Sequence, residues 1–102
     1  MSGANPARGE AALTLGGDEL VLRPSFAALV AAEEELGPLF ALVERAADGA
    51  LSLSDMVALL WHCLADRKTL SREALGEAII AAGLARVTPA LKSVLRQILS
   101  GA

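Results

Sequence analysis

Residues 10–23, E-A-A-L-T-L-G-G-D-E-L-V-L-R, and residues 24–37, P-S-F-A-A-L-V-A-A-E-E-E-L-G, set the architecture of this chain. In the first stretch Leu13 and Leu15 stand two apart, as do Leu20 and Leu22. That is the spacing which puts side chains on one face of a strand. Between the two pairs, Gly16, Gly17 and Asp18 tolerate the positive φ that a tight antiparallel turn requires. A short β-hairpin is therefore expected, and because two strands cannot bury an apolar face alone, helices must cover it.

After Pro24 the apolar spacing becomes helical. Ser25 is a suitable N-cap, with Phe26, Leu29, Val30 and Leu36 forming an inner stripe and Gly37 a C-terminal stop. Pro38 can open a second helix at its first position, with Leu39, Leu42, Val43 and Ala46 facing inward up to Asp48 and Gly49. A third begins near Ser52, with Asp55 as a capping-box partner and Leu51 and Met56 at staple positions. Its apolar residues, Leu53, Met56, Val57, Leu60, Trp61 and Leu64, follow the i, i+3, i+4, i+7 pattern, and it is expected to be central. Ser71 caps a fourth helix, with Leu75, Ala78, Ile79 and Ala82 inward and Gly83 as its stop. A fifth is expected to start at Thr88 and Pro89 and to bury Leu91, Val94, Leu95, Ile98 and Leu99. The expected fold is mainly α with a short N-terminal β-hairpin, an α+β arrangement of about five helices around one core.

Composition agrees. The chain has 102 residues, of which 54% are hydrophobic but only 3% aromatic, so closely packed Leu, Ala, Val and Ile must form the core. That length supports one core and one domain. Gly, Pro, Ser and Asn gather in the first nine residues, so residues 1–9 are expected to be a disordered tail and residues 10–102 a single hairpin-plus-helices domain.

Charge and cysteine usage narrow the function. Twelve acidic and nine basic residues leave a net charge of -3, with Lys and Arg scattered along the chain and only Arg67 and Lys68 adjacent, which disfavours nucleic acid as a partner. A lone cysteine, Cys63, cannot form an internal disulfide and suits a reducing, cytoplasmic setting. No apolar stretch approaches the roughly 18 residues of a membrane span, and no signal-like segment opens the chain.

No constellation of residues points to catalysis or to a cofactor. The run Gly16, Gly17, Asp18, Glu19 matches the first letters of the diguanylate cyclase signature, but Leu20 replaces its Phe and the chain is too short for such a domain, so a turn is the better reading. His62 and Cys63 are adjacent, which on a helix sets them about 100° apart, and no second His or Cys exists to complete a metal site. His62 is expected at a polar edge, and Cys63 as a small core residue. Glu33, Glu34 and Glu35 fan out around a helix and read as a solvated acidic face, which can help select a basic partner. Protein binding is the remaining class. Trp61 and Leu59, on a helix apolar around most of its circumference, and Ile80, outside its helix's main stripe, are the candidate anchors, with Glu33 and Glu34 as an acidic flank.

The order of these features resembles the small tail-assembly proteins of gene transfer agents, phage-like particles encoded in bacterial genomes. The resemblance spans about residues 9–101. It rests on L-V-L-R-P-S at residues 20–25, A-L-V-A-A-E-E-E-L-G at 28–37, the apolar helix at 53–64, T-L-S-R-E at 69–73, A-I-I-A-A-G-L at 78–84 and V-L-R-Q-I-L-S-G at 94–101. Members of that family are described both as tail tube components and as tail assembly chaperones. The resemblance implies a non-enzymatic role in building the tail of a gene transfer agent or prophage. The preferred expectation is a cytoplasmic chaperone of the tape-measure protein, the alternative a structural tube subunit, with tape-measure or tube proteins as partners and at most weak homo-oligomerisation.

Overall fold

A computed structural model describes residues 9–66 and 70–100. The hairpin comprises β1 (Ala11–Leu15) and β2 (Asp18–Leu22), antiparallel, in a register running from Ala11 opposite Leu22 to Leu15 opposite Asp18. Gly16 and Gly17 form the two-residue loop at φ 59° and 86°. Positive φ at both positions is the type I′ geometry whose twist matches that of the flanking strands. The Gly-Gly-Asp-Glu run is thus a turn and the start of β2. Leu13, Leu15 and Leu22 are buried, as the alternation predicts.

The hairpin is tied to the helices at its open end. Past the third helix, Leu64 bridges to Leu22, the Arg23 N–H donates to the Cys63 carbonyl (2.6 Å) and the Ala65 N–H to the Val21 carbonyl (2.9 Å). Just outside the strands, the Arg23 Nε donates to the Glu10 carboxylate at 2.6 Å, with the Glu10 side chain buried and Arg23 half in solvent.

Among the described residues five helices follow, α1 (Phe26–Leu36), α2 (Leu39–Ala47), α3 (Leu53–Cys63), α4 (Arg72–Ala82) and α5 (Leu84–Ser100). Ser25, Ser52 and Ser71 cap α1, α3 and α4, each hydroxyl accepting from the backbone N–H three residues on. Their positions are those the sequence predicts. α3 is the central helix, with Met56 to Leu60 and Cys63 all buried and both α1 and α4 packed on it. β1 lies against α4 and α5, so one core joins hairpin and helices.

Several details differ from the sequence reading. Pro38 is the N-cap of α2 and lacks a capping side chain; the Glu33 carboxylate accepts the Leu39 N–H instead, at 3.1 Å. A negative group there also meets the positive end of the helix dipole. Asp55 does not close a capping box, because its carboxylate is turned to Arg45 Nη2 at 3.1 Å. α5 starts a turn before Thr88 and carries Pro89 inside it. The hydrogen bond Pro89 cannot donate would have reached the carbonyl of Ala85, an exposed residue open to water. Thr88 Oγ1 meanwhile donates to the Leu84 carbonyl at 2.9 Å, and the added turn buries Val87 completely. Phe26, Val30, Leu53 and Leu99, all expected inside, are exposed, three of them at the first residue or last turn of a helix where no other element covers them. The expected tail lies outside the described residues except for Gly9, which packs on the Gln97 side chain.

Candidate functional site

α4 uses two faces, one apolar and buried, the other mixed and open. Leu75, Ile79 and Ala82 turn inward, with Leu75 and Ile79 fully buried. Glu73, Gly76, Glu77 and Ile80, spaced by three and four, share a second face that a single core stripe does not account for. Between that face and the first turn of α3 lies an open groove of about 670 Å³, with Leu53 and Val57 on one wall and Arg72, Gly76 and Ile80 on the other. Leu53 is 43% exposed and Ile80 56%, so the groove holds apolar surface in contact with water. Gly76 deepens it: a Cβ built there would sit 3.7 Å from the nearest Val57 methyl, in ordinary contact.

A polar cluster borders the groove and joins three helices. Arg72 donates to the Glu35 carboxylate, whose other oxygen lies 2.8 Å from His62 Nε2. The Arg72 guanidinium also lies over the Trp61 ring, 4.8 Å from its centroid, and the His62 ring meets Trp61 edge-on at 5.4 Å. The Trp61 N–H donates to the Leu70 carbonyl at 3.4 Å. The Arg72 and His62 hydrogen bonds hold the Glu35 carboxyl below the usual range for glutamate. On His62, Nδ1 is buried and has no partner among the described residues.

The cluster links α1, α3 and α4 through side chains. Beside it, burial pushes the Cys63 thiol up to about 12, which keeps it protonated and unreactive at neutral pH. Among the described residues no group of three or more His, Cys, Asp or Glu is placed to hold a metal ion. None of their helices is long and apolar enough to cross a membrane.

The proposed anchors separate. Leu59 is fully buried in the core, because α3 is covered on both sides by α1 and α4, so it is corrected from anchor to core residue. Trp61 is half-buried, its ring engaged by Arg72, His62 and Leu70, and it does not line the groove. Ile80 does. Glu33 caps α2 and edges a smaller apolar pocket of about 260 Å³ under Phe40, whereas Glu34 is exposed on α1, away from the groove. Of the acidic run, Glu35 is the one whose carboxylate meets basic side chains of other helices. Leu53 and Gly76 were missed: Leu53 fits the inner stripe by spacing alone, and a glycine in mid-helix was the available signal for Gly76.

No curated protein and no solved structure matches the chain. A family model described as phage tail tube protein, GTA-gp10, matches residues 8–101, nearly the whole length and the same span as the resemblance drawn from the motifs. With a hairpin leading five helices and that match from end to end, the chain belongs to the gene transfer agent family of phage tail proteins.

Proposed function

We propose that this tail protein is an assembly chaperone, which covers apolar helices of the tape-measure protein in the cytoplasm until tube subunits replace it, and which catalyses no reaction. The observation that carries this reading is the open groove between α3 and α4, with Leu53 and Ile80 left in water. Exposed apolar surface gathered in a groove is costly unless something occupies it. Helix-in-groove binding is the usual way to bury it reversibly.

The second reading, a structural tube subunit, is favoured by the description of the matching family. Against it stands the hairpin: a wall built by strand addition needs free edges, and the outer edge of β2 is engaged at its end, where Val21, Leu22 and Arg23 meet residues 63–65. Two strands also offer little wall.

Affinity capture of the tagged chain from a host induced to make particles, with mass spectrometry of the captured proteins and of purified particles, separates the two. Capture of the tape-measure protein, with the tagged chain absent from finished particles, is the expected outcome. Stoichiometric presence inside particles would make the chain a tube subunit, and capture of no tail protein would overturn both readings.

A further inference from the structure

We propose that the α3–α4 groove seats an amphipathic helix with an apolar stripe and a Lys- or Arg-bearing flank, lying close against Gly76. This rests on the reading of the chain as a chaperone and adds the chemistry of the segment it grips.

Three observations lead there. First, the groove is apolar on both walls, with Leu53 on α3 and Ile80 on α4 left exposed for the apolar stripe of a partner helix. Second, its α4 rim is acidic. Glu73 and Glu77 are both exposed, stand four residues apart and form no ion pair or hydrogen bond among the described residues. Like charges at that spacing repel each other; Glu73, in the first turn of α4, is favoured by the helix dipole, but Glu77 has no such compensation. The cation on the same rim, Arg72, is already engaged by Glu35 and the Trp61 face, which leaves the field over the groove negative. A basic flank on the occupant complements it, and an acidic flank is repelled. Third, Gly76 sits mid-helix, where alanine is more favourable, and packing within the chain does not demand it: an added Cβ meets only Val57 methyls, at 3.7 and 3.8 Å. A glycine facing the groove instead lets a second backbone approach closely.

The test uses the full chain and two synthetic amphipathic helices, one of Leu and Ala flanked by Lys, the other with Glu in place of every Lys, titrated by fluorescence anisotropy at low salt. The Lys peptide is expected to bind at least about tenfold more tightly than the Glu peptide, and Glu73→Lys with Glu77→Lys to reverse that order. Ile80→Asp, at an exposed position, should abolish binding of both, and Gly76→Ala should weaken the Lys peptide several-fold while the protein stays folded by circular dichroism. Equal affinity for the two peptides, no binding of either, or a preference unmoved by the charge reversal would overturn the proposal. So would light scattering that shows a dimer dissolved by Ile80→Asp, since a second copy would then fill the groove. Tape-measure capture by the Ile80→Asp and charge-reversed variants at the wild-type level would overturn the groove assignment and leave the chaperone reading standing. Failure of the wild-type chain to capture the tape-measure protein, with peptide selectivity intact, would overturn the chaperone reading and support the groove's chemistry.

Discussion

Gly76→Ala should make this protein more stable, by about 1 kcal/mol. Gly76 lies inside the 11-residue helix α4 and has no positive φ, so alanine adopts its backbone conformation without strain. Alanine is better than glycine in a helix interior by roughly 0.8–1.0 kcal/mol, because glycine loses more backbone freedom on folding. The new methyl meets Val57 Cγ1 and Cγ2 at 3.7 and 3.8 Å, distances of contact and not of overlap, and so adds a few tenths more or nothing. For a chain of 102 residues the unfolding entropy is about 0.2 kcal/mol/K, which converts the gain to a rise of about 5 °C in Tm. Calorimetry or a circular dichroism melt reads it directly, and the urea midpoint should rise with an unchanged slope. A fall in Tm would refute the reasoning, since it would mean that α3 and α4 approach more closely at Gly76 than the Val57 distances allow. A stabilising substitution that weakens docking also separates the groove's role in binding from any role in folding.

Arg23→Ala should destabilise the fold by about 1–3 kcal/mol, below the range for a fully buried pair because Arg23 is half in solvent and Glu10 has a further contact; urea unfolding measures it, and a loss under about 0.5 kcal/mol would show that water already solvates Glu10. Acid sensitivity should come in part from Glu35: its folded pKa is lowered by Arg72 and His62, so its contribution is present above the unfolded value of 4.5 and lost as pH falls through the lower folded value. Glu35→Gln should accordingly flatten the dependence of Tm on pH below 4.5, and an unchanged profile would dismiss the pairing as inconsequential. Leu59→Ala should cost about 2–5 kcal/mol as a buried truncation, whereas Ile80→Ala should stay within about 0.5 kcal/mol; comparable losses in urea titrations would contradict the different burial of the two side chains.

Features set by neighbours along the chain were legible in the residues alone. The two-residue turn at Gly16 and Gly17 follows from positive φ, and the serine caps at Ser25, Ser52 and Ser71 from the need to satisfy orphan N–H groups. The order of motifs along the chain was enough to indicate the family that the match over residues 8–101 shows. Periodicity likewise identified α3 as central, since a helix apolar on most sides must be surrounded.

What periodicity could not tell was which apolar residue is covered, because coverage depends on where neighbouring helices end. Leu53 and Leu59 lie on the same helix and both are leucine, yet one is 43% exposed and the other fully buried: α1 and α4 cover the middle of α3, while its first turn stands across an open groove from α4. The same holds for Pro89, read as a helix start from its missing N–H, although burial of Val87 carries α5 a turn further back. The hairpin, the caps and the family were thus written in local spacing and residue type. The groove and the pairing of Glu35 with Arg72 and His62 arise only when α1, α3 and α4 are packed together, since they join residues far apart in the chain whose distances no local pattern encodes.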